Sequence, residues 1–156
     1  MEAIIATKKG VKKGGKYIVP CEYDDIFPAR VNGKESKELY ITESDDLLGL
    51  VKVNSESEET VILNNEYNKI GEFENDVAVI GIYSERHGFK YSLVDTDLNI
   101  KTKFEYDSIS RISSEFFEVV KEGKHGIINK YGDVIVACEF SGISCYESAG
   151  KLEIKL

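Results

Sequence analysis

Four glutamates are the first residues of this chain that could do chemistry. Each opens the same pattern of glutamate, aromatic residue, two further residues and isoleucine. It occurs as Glu22-Tyr23-Asp24-Asp25-Ile26, Glu66-Tyr67-Asn68-Lys69-Ile70, Glu105-Tyr106-Asp107-Ser108-Ile109 and Glu139-Phe140-Ser141-Gly142-Ile143. Paired carboxylates can hydrolyse a glycosidic bond, one as acid and the other as base or nucleophile, if a cleft holds them about 5 to 9.5 Å apart. Four glutamates at equivalent positions of a repeated unit fit one shared structural part better, facing solvent or bonding backbone. His87 and His125 could act as bases or metal ligands, but each stands alone before a glycine. Packing and one hydrogen bond account for them.

The other reactive types point the same way. Zinc requires ligands paired at short spacing, and Cys21, Cys138 and Cys145 form no C-x-x-C, nor do the histidines form an H-x-x-x-H. The odd cysteine count argues against a disulfide framework, so these are read as small hydrophobes. No G-x-S-x-G, Walker or G-x-G-x-x-G sequence occurs. Gly10, Gly14 and Gly15 alternate with lysines and could touch a phosphate, but no helix start follows them, which that use needs. Lys8 to Lys13 is read as a solvated loop. The expectation is no catalytic residue, no cofactor, no metal and no enzymatic activity.

Stepping outward from the glutamates, the motif recurs at intervals of about 40 residues, and its flanks recur with it. Residue-glycine-apolar starts stand at Leu48-Gly49-Leu50, His87-Gly88-Phe89 and His125-Gly126-Ile127. Apolar strands follow each motif at Leu39–Thr42, Val77–Ile80, Phe116–Val120 and Leu152–Leu156. The last alternates cleanly, as a strand with one buried face does. His125 to Asn129 and Val134 to Cys138 read as strands joined by a turn at Lys130-Tyr131-Gly132-Asp133, with Phe140 and Ile143 toward the core. Ser55 to Glu59 and Ser84 to Arg86 are polar connections. No dozen residues keep helical apolar spacing, and even Lys101 to Ser114 alternates around Tyr106. The predicted fold is all-β: one domain over 1–156 with four antiparallel repeats of three to four short strands, bounded near 1–46, 47–86, 87–124 and 125–156. A unit this small cannot bury its own apolar face, so the copies stack, or close like a propeller.

These residues resemble the WG β-repeat family. Its unit runs Trp-Gly, a short strand, a glycine turn, an apolar strand, Pro-x-x-Tyr-Asp and a further strand. Residues 125–136 (HGIINKYGDVIV) and 15–25 (GKYIVPCEYDD) carry the resemblance most clearly. The chain has no tryptophan, and Leu48, His87 and His125 stand in its place; only the first copy keeps the proline. The resemblance implies an all-β repeat domain and brings no catalytic residues with it.

Composition narrows the function classes. With 42% hydrophobic and 31% charged residues the chain is globular rather than disordered. No run approaches the ~18 apolar residues of a spanning helix, and Met1 to Thr7 is too short and acidic for a secretory signal, so the expected address is cytoplasmic. A net charge of -8 repels phosphates. Direct nucleic-acid binding and membrane association are therefore not expected; a protein partner with a basic surface is. Tyr40, Tyr83, Tyr91, Tyr146 and Phe27 fall outside the shared repeat positions and are the candidate partner-binding residues. The reading is a non-catalytic protein-binding module. Its alternatives are a small acidic inhibitor of a nucleic-acid-handling complex, of the phage anti-defence or anti-CRISPR type, and a glycan- or small-ligand-binding β-domain.

Overall fold

The computed structural model describes residues 7–54, 56, 59–148 and 151–156. Among them all regular structure is strand, and every ladder between strands is antiparallel. A hairpin of β1 (Lys9–Lys13) and β2 (Lys16–Tyr23) comes first. The first four-stranded sheet holds β3 (Asp25–Val31), β4 (Lys34–Ser44), β5 (Leu47–Val53) and β6 (Thr60–Tyr67) in sequence order. Next come β7 (Lys69–Ile70), β8 (Val77–Ser84) and β9 (Gly88–Asp95). The chain beyond β9 supplies a ragged fourth edge through bridges Val94↔Ile100 and Tyr91↔Tyr106. The second four-stranded sheet holds β10 (Ser108–Arg111), β11 (Phe116–Lys121), β12 (Lys124–Asn129) and β13 (Val134–Phe140). A hairpin of β14 (Ser144–Ser148) and β15 (Lys151–Lys155) completes the described fold.

The tight turns have the chemistry their geometry demands. Gly14-Gly15, Asp45-Asp46 and Glu122-Gly123 each place both residues at positive φ. That is the type I′ signature, whose twist matches the flanking strands. Gly132, at φ 89°, serves the turn expected between β12 and β13. The basic run expected to be a loop is instead largely strand β1: Lys9, Lys12 and Lys13 lie exposed along an edge, where lysine commonly discourages unwanted strand pairing. The connection expected over 55–59 lies largely outside the described residues.

Sheets and sequence copies are out of phase. Every sheet break falls just after a motif aromatic, at Asp24, Asn68, Asp107 or Ser141. Each full sheet therefore runs from one motif's isoleucine to the next motif's aromatic residue. A copy as counted along the sequence contributes the last two strands of one sheet and the first two of the next.

The apolar cores lie between successive sheets. Val19 and Tyr23 of the first hairpin pack on Val51 and Val53. Ala29, Leu39, Leu50 and Tyr67 meet Phe73, Ala78, Ile80 and Val94 of the following sheet. Val77 and Leu93 meet Tyr106, Phe117, Val119 and Ile128. No sheet buries an apolar face alone, as the repeat argument requires. Tyr23, Tyr67 and Tyr106 are buried at these seams, whereas Phe140, the fourth motif aromatic, is half-buried.

One ladder position explains the repeat's glycine. Opposite the motif aromatics stand Lys9, Leu48, Tyr91 and His125. At Gly10, Gly49 and Gly126, which follow, the ladder is irregular, as at a β-bulge. A Cβ on Gly49 would stand 2.5 Å from the Leu63 carbonyl oxygen, and one on Gly126 equally close to that of Val136. The third copy corrects the sequence reading. His87-Gly88 is not the repeat pair: Gly88 sits at the start of β9 with φ 68° and open space around it. Tyr91-Ser92 occupies the ladder position, and Ser92 Oγ donates to the Thr102 carbonyl at 2.8 Å, turning the close approach into a hydrogen bond.

Candidate functional site

The motif's residue after the aromatic does structural work at every complete sheet. Asp24 Oδ2 accepts the Asp45 backbone N–H at 2.9 Å, and Asp107 Oδ2 accepts that of Glu122 at 2.8 Å. Asn68 Oδ1 accepts the Tyr83 N–H at 2.9 Å. Each bond ties the start of one strand to the far end of the next or to the turn just after it. The free oxygens of Asp24 and Asp107 pair with Lys8 and Lys90, the residue just before the ladder position in each copy. Hydrogen bonds from those lysines, with the backbone N–H groups, hold both carboxyls below the ordinary aspartate range. Sequence reasoning passed over this lysine–aspartate pair, though the Tyr-Asp of the repeat unit was its signal.

The motif glutamates lie beside the buried tyrosines rather than with them. Glu22, Glu66 and Glu139 are exposed, and Glu105 pairs with Lys121 at 3.5 Å. Burial first, and then the adjacent glutamate, push the phenols of Tyr23, Tyr67 and Tyr106 above their usual range. Glu105 and Glu139 do line one shallow depression, together with Lys121 and Cys138. It is open to solvent, unlike the closed cleft that paired-carboxylate hydrolysis uses.

His125 bonds Glu118 through Nδ1 at 3.2 Å on the sheet face, while His87 lies exposed in the β8–β9 turn. The two are not brought together. All three cysteines are free; Cys21 is exposed, and burial raises the thiols of Cys138 and Cys145. No group of three or more histidine, cysteine or acidic side chains gathers as a metal site among the described residues.

The candidate partner-binding aromatics separate into one cluster and three scattered members. Tyr83 and Phe89 face each other across the β8–β9 ladder with ring centroids 5.1 Å apart. Phe89 and Tyr91, two residues apart on one face, stack at 6.1 Å with their planes 14° apart. Gly81 makes this possible: the Tyr91 ring lies over it, 2.8 Å from where a Cβ would stand. Lys69 Nζ sits 4.4 Å from the Phe89 centroid, a cation–π contact. Tyr83 is 52% exposed and Phe89 38%, so the row meets solvent along one edge. Phe89 was missed in the sequence reading, and Tyr91 proves to stand on a shared ladder position. Tyr40 is half-buried against the first core with its hydroxyl donated to the Lys37 carbonyl. Phe27 and Tyr146 are exposed on other sheets.

A second surface feature is acidic. Asp76, Asp95 and Asp97 border a depression with Lys101, Lys130 and Tyr131. Burial alone would raise the Asp95 carboxyl, but the Lys101 ion pair at 2.7 Å and hydrogen bonds from Asn99 outweigh it and hold the group below its usual range. Asp97 is paired with Lys52. Asp95 and Asp97 are thus already engaged by cations of the chain itself.

One family model matches parts of the chain. The family model of the WG containing repeat matches residues 11–34 and 91–124. The second match starts at Tyr91, on its ladder position, and the first at Val11, two residues past Lys9. The first includes the 15–25 stretch, whereas the 125–136 stretch lies outside both matched segments. No curated protein and no solved structure matches this chain. No helix among the described residues is long and apolar enough to cross a membrane.

Proposed function

We propose that this chain, which carries WG containing repeats at residues 11–34 and 91–124, is a non-catalytic module that binds another protein. The observation that carries the reading is the aromatic row of Tyr83, Phe89 and Tyr91 on β8–β9, with Lys69 beside it. Aromatic side chains supply large contact area at low entropic cost, and they dominate protein interfaces. The row stands on a sheet buried from both neighbours, so it is held rigidly before any partner arrives. A net charge of -8 favours a partner with a basic surface, through steering more than through raw affinity.

Glycan binding is the weaker reading of the same row. A sugar stacks on an open aromatic face, whereas the Lys69 ammonium stands over Phe89 and Tyr91 is stacked against it. The acidic-inhibitor reading is the special case in which the partner handles nucleic acid, and a salt-sensitive complex with such a partner is its mark.

The test is co-purification of the tagged chain from its native host at low and moderate salt, beside a Tyr83→Ala/Phe89→Ala variant. One stoichiometric protein, retained by the wild type and lost with the double substitution, is the expected result. A partner held equally by both chains would remove the aromatic row from the interface, and a chain recovered alone would remove the proposal.

A further inference from the structure

The first and last hairpins are separate two-stranded sheets that carry complementary pieces of the four-stranded pattern. In the two four-stranded sheets the order is fixed: the strand after the motif, its hairpin partner, the glycine-bulge strand, and the motif strand. The hairpin β1–β2 is a bulge strand with a motif strand. The hairpin β14–β15 is the other pair, a strand after the motif with its partner.

Register shows what is missing. In the three inner sheets the residue opposite the motif isoleucine also faces the bulge position on its other side. Thr42 pairs with Ile26 and Gly49, Ile80 with Ile70 and Ser92, Val119 with Ile109 and Gly126. All three are buried, at 1% exposure or less. Carrying the Ser144↔Lys155 pairing one step on sets Leu156 opposite Ile143, at this same position. Yet Leu156 is 64% exposed. Two residues back, Phe117 and Ala78 are fully buried and Tyr40 is half-buried, while their counterpart Ile154 is 36% exposed. Phe140 is half-buried too, beside a following sheet that has two strands among the described residues. The outer edges of β1 and β15 meet no strand among the described residues.

We propose that β15 of one copy pairs antiparallel with β1 of a second copy of this chain, completing a four-stranded sheet between them. The register of the inner sheets then puts Leu156 opposite Gly10, Ile154 opposite Lys12 and Glu153 opposite Lys13. The Glu153–Lys13 pair is charge-complementary, and no lysine of β15 faces a lysine of β1 directly. Opposite-charge cross-strand pairs stabilise such ladders, and like charges oppose them. The two copies use different surfaces, so the contact is head-to-tail and either propagates or closes as a ring. This inference is independent of the aromatic row, which lies on an inner sheet.

Sedimentation of the full chain over a wide concentration range tests it. The weight-average mass of the wild type should climb above 17.5 kDa with concentration. Ile154→Asp should hold it at monomer mass with an unchanged circular dichroism spectrum. In a Cys21→Ser background, Lys13→Cys and Glu153→Cys chains mixed together should cross-link into dimers that grow no further. A wild type that stays monomeric at every concentration would overturn the proposal. So would equal association of Ile154→Asp, or a Lys13→Cys/Glu153→Cys chain that closes on itself at monomer mass.

Discussion

Asp107 accepts the backbone N–H of Glu122 at 2.8 Å, binding the start of β10 to the turn between β11 and β12. Its other carboxylate oxygen pairs with Lys90 on the preceding sheet. One side chain thus fixes a hairpin turn and the seam between two sheets, and Asp24 repeats the arrangement with Asp45 and Lys8.

Replacing Asp107 therefore tests two interactions separately. Asp107→Ala should lower unfolding free energy by about 1–2 kcal/mol, since a hydrogen bond to a charged acceptor is lost but the group is partly screened by water. Asp107→Asn should recover much of this, because Asn68 makes the equivalent bond natively. Urea unfolding of the three chains checks both statements.

The bulge glycines should tolerate no side chain. Gly126→Ala places a Cβ 2.5 Å from the Val136 carbonyl, a clash against backbone that cannot rotate away. A loss of about 1–3 kcal/mol is expected, the scale of overpacking in a filled interior. Ser92→Gly, at the same ladder position, should be milder, removing the hydrogen bond to Thr102 without a clash. Thermal melts of both variants distinguish the two cases.

Acid stability should carry a signature of Asp95. Its carboxyl lies below the ordinary range when folded, so it binds protons less readily folded than unfolded. That contribution is full at neutral pH. It begins to fade as pH drops toward the unfolded value of about 3.9, and it is lost once pH passes below the folded one. Asp95→Asn should be less stable than wild type at pH 7, and the gap should narrow on the acid side of about pH 4. Denaturant midpoints measured from neutral to strongly acidic pH follow it.

The motif aromatics should differ by position. Tyr106→Ala empties a site in the seam beside Phe117 and Val119, at a cost of about 3–5 kcal/mol, the scale for truncating a buried aromatic. Phe140→Ala removes a half-buried ring and should cost less than half as much. Chemical denaturation in dilute solution, where copies are apart, compares the two.

Much of this fold was legible because its signals are local. Val134 to Cys138 and Phe116 to Val120 are β-branched or aromatic runs between turn residues, and both are strands where expected. The phase of the third copy was not legible. Matching by residue type chose Gly88, whereas the ladder requires only a side chain small enough to pass a carbonyl, and Ser92 meets that with a hydrogen bond. Lys8 to Lys13 misled for a related reason: lysine density marks an edge strand as readily as a loop. Of the aromatic row, Tyr83 and Tyr91 were singled out by type, but their meeting through Phe89 depends on the pairing register of β8 with β9, which a single sequence does not display.

The central claim, a protein-binding row on β8–β9, is tested most directly by hydrogen exchange of the chain alone and with its co-purified partner. Slowed exchange confined to β8, β9 and their turn, and absent when Tyr83 and Phe89 are alanine, is the result this account predicts. Protection lying on other sheets, with β8–β9 unchanged, would contradict it.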